Sequence, residues 1–428
     1  MFRCIFFFIA LKWFLMESFD VIVVGAGPGG SACAWFLSKK YNRNVLLLEK
    51  QKFPRDKICG DAISGKSSSV LYEMGLNKAI ENAPHAEIHG VTFSSPNGAI
   101  AEIPFKTAKG QSRGTGYVCR RMVYDNLVFQ EAAKAVSRVI QDFQVTDLLW
   151  EEQFGNNYCV GVKGIDLSTK EEKEFRAKVV VGADGANSIV TRKVGNAPSD
   201  PRHHCAALRA YYKGIKDLTN NIEIHFIDSV LPGYFWIFPL ENDYANIGVG
   251  MVTSEIQKKK VNLKEEMLKA IKEHPLLKDR FKDAVMEGEI RGWNLPFGSY
   301  RRKAHGNGWV LLGDAASLID PFSGEGVGNA MLSAKIASKY IDRAFRENFF
   351  HGDMLIEYEK EMWQEIGAEM KTSYMLQRIG GIKPLLNLVV GKAQRSREIR
   401  ETISGMLGNE ETKKALISPL FYLKLLFA

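Results

Sequence analysis

Three groups of residues in this 428-residue chain have types and spacings that could do chemistry. In the first, Gly25, Gly27 and Gly30 follow the apolar run Val21 to Val24 in the order G-x-G-x-x-G and lead into an Ala-rich helix. Gly25 allows a tight turn, Gly27 lets the backbone approach a pyrophosphate, and Gly30 lets the helix lie close on the strand. Free N–H groups and the dipole at the helix start favour the anion. Glu49 closes a second apolar run, Val45 to Leu48, where the ribose of a dinucleotide needs an acceptor.

The second group stands far along the chain. Gly308 to Leu312 reads as a buried strand ending in Gly313-Asp314, and Gly324-Glu325-Gly326-Val327-Gly328 opens a small-residue helix. Its amides suit an anion and Asp314 suits hydroxyls. Two such turns, both after parallel-type strands, imply one large cofactor held by discontinuous segments, with no turn left for a second nucleotide. In the third group, Cys59 sits in Lys57-Ile58-Cys59-Gly60-Asp61, beside a glycine turn and near Arg55, surroundings that lower a thiol pKa and expose it. Arg55 and Lys57 could serve phosphates or lie in solvent. Tyr234, Trp236 and Phe238 alternate along one strand face as an aromatic wall, with Asn246 to Gly250 as its hairpin partner; such a wall is either plain core or the cover of a cavity.

These groups need an α/β scaffold to hold them. Residues 16–84, 110–196 and 297–350 read as a nucleotide-binding domain with parallel strands, including Lys178 to Gly182, which breaks into Ala183-Asp184-Gly185. A helix begins at Arg120-Arg121 and keeps apolar residues at helical spacing through Val136, and two strands meet at a turn around Asn156-Asn157. Residues 85–109 and 197–296 read as a smaller antiparallel sheet for substrate, with a charged, peripheral helical stretch from Val252 to Asp283. Residues 351–428 read as helices, apolar at Leu385 to Val390 and Leu416 to Phe427, that either cap a tunnel or dock on a membrane surface.

Composition narrows the classes. An apolar share of 46% and a charged share of 25% are those of an ordinary globular chain. The net charge of +8 is spread out, and Lys258-Lys259-Lys260 reads as a solvated helix face, which argues against nucleic acid as a partner. Six cysteines without C-x-x-C indicate reduced thiols, no metal site and a cytoplasmic setting, free or peripheral on the inner face of the membrane. Phe2 to Leu15 is apolar but too short to span a bilayer; Met16 reads as the start of the fold, or the segment as a loose surface anchor.

The glycine turn with Glu49, the Arg121 to Asp125 helix start, Gly182-Ala183-Asp184-Gly185 and Gly313-Asp314 with its glycine loop resemble the FAD modules of the group-A flavoprotein monooxygenase fold. Within it, Lys57-Ile58-Cys59-Gly60-Asp61 and Tyr234-Phe235-Trp236-Ile237-Phe238-Pro239 resemble signatures of the geranylgeranyl reductase family. The resemblance implies a Rossmann-like FAD-binding domain with an interleaved antiparallel substrate domain and C-terminal helices. It implies that Gly25, Gly27, Gly30, Glu49, Arg121, Asp184 and Asp314 hold FAD, with the N–H groups of Gly324, Gly326 and Gly328 beside the isoalloxazine. Tyr234, Trp236 and Phe238 would grip an isoprenoid, whose double bond would be saturated by hydride from flavin N5, and Cys59 would face the flavin. The proton donor is left among Cys59, Tyr234 and water, and the electron donor between NAD(P)H and a reduced redox protein. A flavin monooxygenase or halogenase shares the FAD motifs, but a halogenase is expected to show W-x-W-x-I-P where Tyr234, Trp236, Phe238 and Pro239 stand. A non-catalytic flavoprotein that carries a lipid is a further alternative.

Overall fold

The computed structural model describes residues 17–106, 116–196 and 200–408. The apolar segments Phe2 to Leu15 and Leu416 to Phe427 lie outside them. Val21 to Val24 have no polar side to show to water, and the strand Ser18–Val24 is accordingly buried at the centre of a sheet. It pairs in parallel with Val45–Leu48 on one side and with Glu172–Gly182 on the other. Trp309–Leu311 and Arg138–Ile140 extend the parallel set outward. The Pro28–Trp35 helix packs between Val327–Glu347 and Arg121–Ala133, and small residues permit the close crossing: a Cβ on Gly29 would stand 3.2 Å from the Ala330 Cβ. The strands Phe143–Gln153 and Asn156–Asp166 join through Phe154 and Gly155, both at positive φ, two residues before the expected Asn156-Asn157 turn. Gly155 adopts that backbone without strain, and this fixes where the chain reverses.

A second sheet has seven strands, ordered Val285–Pro296, His204–Lys213, Tyr244–Val252, Gly233–Pro239, Asn221–His225, Gly90–Ser94 and Ile100–Pro104. All neighbours are antiparallel except Asn221–His225 with Gly90–Ser94. Side chains alternate between its faces. Phe235, Ile237 and Val249 point outward and pack on Met267 and Ile271 of the Leu263–Glu273 helix, so the charged stretch read as peripheral also covers the back of this sheet. Tyr234, Trp236 and Phe238 point to the other face.

Strand register places one row of residues across that inner face: Arg291, Arg209, Gly248, Trp236, Ile224, Phe93 and Ala101, each directly opposite the next. With neighbouring strands about 4.8 Å apart, the row spans about 29 Å. It begins at two arginines and ends at an alanine. Over the apolar end lie the Lys383–Arg395 and Arg397–Gly408 helices, whose Val390, Ala393, Ile399 and Ile403 pack with Ala101 and Ile103. No helix among the described residues is long and apolar enough to cross a membrane.

Candidate active site

The first sheet, the inner face of the second and the C-terminal helices enclose one cavity of about 1590 Å³. Pockets for a single small ligand run to about 1,000 Å³, so this one has room for more than one group. It is lined at one end by the Gly25 to Gly30 turn, in the middle by the Cys59 loop and Trp236, and at the far end by Phe93, Ala101 and Val390.

The turn is locked by backbone contacts. Gly25 has φ +96°, and a Cβ there would stand 2.6 Å from the Ala183 carbonyl oxygen, while a Cβ on Gly30 would stand 1.8 Å from the Gly25 oxygen. No side chain caps the following helix, whose first amides therefore face the cavity. Glu49 is held beside them, accepting from the Ala26 N–H at 2.9 Å and the Gln51 N–H at 3.1 Å. A cradle without side chains, an uncapped helix and a fixed carboxylate fit the adenosine and pyrophosphate of FAD.

The guanidinium nearest this turn is that of Arg55, 3.6 Å from where a Gly27 Cβ would be. Arg55 donates to Asp125 at 3.1 Å, and Arg121 forks onto the same carboxylate at 2.5 and 2.8 Å. Arg121 also lies beside the Cys59 sulfur; burial works against its charge, but Asp125 and Cys59 hold its pKa well above the usual value. Arg121 thus ties the Cys59 loop to the nucleotide end. Asp184 accepts from the Ser188 hydroxyl at 2.5 Å and the Ile189 N–H at 2.7 Å, which fixes the turn behind Gly25; burial raises its pKa. The Asp314 side chain lines the cavity and accepts no hydrogen bond from the described residues.

The Gly-rich loop departs from expectation at two amides. The Gly324 N–H donates to the Asp320 carbonyl at 3.0 Å and the Gly328 N–H to Glu325 Oε1 at 2.5 Å. The loop satisfies these groups itself by curling around Asp320, whose Oδ1 accepts from the Phe322 and Ser323 amides at 2.9 and 2.8 Å. Gly326 carries no side-chain cap, so the amides open to a flavin are those of Gly326 and Val327. Glu325 is a carboxylate at a helix start, with its pKa raised by burial.

The Cys59 loop is fastened to the aromatic strand by Asn246, a fully buried residue. Its Nδ2 donates to the Cys59 carbonyl and to Asp61 Oδ2, both at 2.7 Å, and its Oδ1 accepts from Trp236 Nε1 at 2.9 Å. Asp61 also accepts from the Tyr211 hydroxyl at 2.9 Å and the Arg121 N–H at 3.2 Å, yet burial still pushes its pKa up to about 6. Gly60 lies so close to the wall that a Cβ would stand 2.9 Å from Phe238, and one on Gly248 would stand 2.1 Å from Trp236 Cζ2. The indole therefore lies flat across Gly248. Tyr234 donates its hydroxyl to the Ser323 carbonyl at 3.2 Å, and burial raises its phenol pKa.

Of the site residues singled out in the sequence, all but Gly30 and Gly328 line this one cavity. Asn246, Asp61 and Arg209 were not singled out as site residues. The available signal was a polar side chain inside an otherwise apolar strand: Asn246 before Ile247-Gly248-Val249, and Arg209 between Leu208 and Ala210.

A split nucleotide cradle on a parallel sheet, joined to a second sheet that closes a large cavity, defines a flavoprotein oxidoreductase. Residues 18–347 match the FAD binding domain family. The chain is 31% identical over 85% of its length to a digeranylgeranylglycerophospholipid reductase of Methanocaldococcus jannaschii, covering 87% of it. It is 29% identical over 76% of its length to a menaquinone reductase of Mycobacterium tuberculosis, covering 77% of it. Among solved structures, a geranylgeranyl bacteriochlorophyll reductase-like protein of Thermoplasma acidophilum shares the fold with a TM-score of 0.77 at 24% identity, over 90% of this chain and 95% of that one. A flavin-dependent brominase does so with a TM-score of 0.74 at 24% identity, over 92% and 94%. The chain belongs to the geranylgeranyl reductase family of FAD-dependent oxidoreductases, and FAD is its cofactor.

Proposed function

We propose that the protein saturates C=C bonds of an isoprenoid chain carried by a lipid, a quinone or a diphosphate. The observation that carries this reading is the row from Trp236 to Ala101: an aromatic wall leads without a polar interruption through Ile224 and Phe93 into a channel roofed by helices. Relatives named as digeranylgeranylglycerophospholipid and menaquinone reductases act on molecules with such chains, which supports the assignment.

Bound FAD, once reduced by NAD(P)H or a reduced redox protein, supplies a hydride. The chain's own residues supply binding, orientation and a proton. Trp236, Ile224 and Phe93 bury the chain and exclude water from the alkene, which has no polar handle of its own. Gly25, Gly27, Gly30, Glu49 and Arg55 bind the nucleotide end, and Asp314 the hydroxyls beyond it. Cys59 is the first of the two side chains considered as proton donor, because its loop lines the middle of the cavity and Arg121 lies beside its sulfur. Tyr234 is a poorer acid, its phenol pKa raised and its hydroxyl engaged with Ser323, and it acts by position. A lipid substrate would bring the protein to the inner face of the membrane.

The test is mass spectrometry of prenyl lipids incubated anaerobically with the chemically reduced protein. Addition of the mass of dihydrogen per event supports reduction. Incorporation of one oxygen atom in air, with no hydrogenated product, would instead assign a monooxygenase.

A further inference from the structure

The arginine end of the row is chemically unlike the rest of the cavity. Arg209, 3% exposed, stands directly opposite Arg291 on the neighbouring strand, a placement at which like charges destabilise a sheet. One carboxylate serves both: Asp56 Oδ2 is 2.7 Å from Arg209 Nη2 and 3.9 Å from Arg291 Nη1, while Glu289 takes the solvent side of Arg291 at 3.1 Å. Lys57, next in sequence, adds a third cation, with Nζ 4.0 Å from the centre of the Trp293 ring and no carboxylate within ion-pair distance among the described residues. Its pKa is lowered by burial to about 8, so the ammonium still carries its charge at neutral pH. Of the other acids nearby, Asp61 already accepts from three donors, and Asp314, whose charge acts most strongly on Lys57, stands outside ion-pair distance of it.

Two donors here are buried and donate to nothing, Arg209 Nε and Trp293 Nε1, and Asp56 Oδ1 is a buried acceptor without a donor. All five residues line the cavity. Buried cations and N–H groups left without partners are costly, and an alkene has nothing to offer them. An oxyanion rich in acceptors satisfies both needs at once.

We propose that Lys57, Arg209, Arg291 and Trp293 form a subsite for a phosphate or diphosphate group. The group has two possible sources. It is either the head of a prenyl ester whose chain runs along the row towards Ala101, an assignment that rests on the function proposed above, or a phosphate of the nicotinamide donor, which does not. Asp56 sets the orientation of Arg209 and leaves Oδ1 for an acidic hydroxyl on the ligand.

The experiment uses the FAD-loaded protein and its Lys57→Gln and Arg291→Gln variants. Arg291 is half-exposed, so its replacement leaves the core intact, and flavin content and melting temperature verify this. Flavin absorbance is titrated with inorganic pyrophosphate, geranylgeranyl diphosphate and geranylgeraniol, and flavin bleaching by NADPH is followed under anaerobic rapid mixing. Pyrophosphate is expected to bind the parent protein and to bind each variant about tenfold more weakly, equivalent to about 1.4 kcal/mol. Weakening of the prenyl diphosphate with geranylgeraniol unchanged assigns the subsite to the substrate head group. Weakening of NADPH alone assigns it to the donor. Pyrophosphate binding without binding of either prenyl ligand would sink the reductase reading and leave the subsite standing. Absence of pyrophosphate binding, or equal affinity in all three proteins, overturns the subsite.

Discussion

Asn246 offers the sharpest test of how the Cys59 loop is held. Asn246→Asp keeps the acceptor for Trp236 Nε1 but places a second carboxyl where Nδ2 now lies 2.7 Å from Asp61. Two carboxylates with charge centres about 4 Å apart repel by about 4 kcal/mol at an effective dielectric constant of about 20. That is about three pKa units, added to a site whose Asp61 already titrates at about 6 because it is buried. The folded variant therefore keeps one shared proton across neutral pH, whereas both carboxyls are ionised in the unfolded chain. The folded state binds more protons, so stability falls as pH rises, by about 1.4 kcal/mol per pH unit between about pH 6 and about pH 8. The parent has its Asp61 contribution, a penalty for the buried charge, fully established above its folded pKa, and this contribution is flat over most of that range. Asn246→Leu is the control: it leaves Trp236 Nε1, the Cys59 carbonyl and Asp61 each short of a partner, a deficit of about 1–3 kcal/mol for each group. Loss of the Asn246 donor also lifts Asp61 further, so this deficit grows with pH too, but without a second carboxyl it grows less than that of Asn246→Asp. The assay is thermal melting of the FAD-loaded proteins at three pH values, read by flavin fluorescence. The reasoning is refuted if the Asn246→Asp deficit does not grow with pH, since Asp61 would then be solvated or its contact with Asn246 absent.

Gly248→Ala puts a methyl 2.1 Å from Trp236 Cζ2 and 2.2 Å from the Leu208 carbonyl; melting should show a loss of about 1–3 kcal/mol, and the displaced indole should raise KM for long prenyl substrates more than for short ones. Trp236→Ala should cut turnover of long prenyl substrates while bound flavin stays stoichiometric in the absorbance spectrum; loss of flavin would contradict its place in the substrate channel. Gly30→Ala, whose Cβ would stand 1.8 Å from the Gly25 oxygen, should yield protein without flavin, checked by the flavin-to-protein absorbance ratio after purification.

The nucleotide half of the site was legible because its chemistry is local. A turn that must bring backbone amides to a phosphate needs glycines at fixed spacings within a few residues, and Gly25, Gly27 and Gly30 show that need directly. The aromatic face of Tyr234, Trp236 and Phe238 was legible for the same kind of reason, since alternation is a property of a single strand. Local sequence carries no such mark where side chains serve one another. Whether an amide in the Gly324 to Gly328 loop is free depends on how Asp320 and Glu325 turn back on it, and Asn246 has meaning only once Cys59, Asp61 and Trp236 converge on it.

The amino-acid sequence by itself determined the cofactor, through short motifs whose geometry is set by neighbouring residues. Only the tertiary structure decided the course of the substrate channel. The row from Arg291 to Ala101 draws residues from seven strands in an order unrelated to the order of the chain, and one step of register would turn any strand's contribution to the opposite face. The polarity of that row, cationic at one end and apolar at the other, is a property of strand pairing, and no single stretch of sequence carries it.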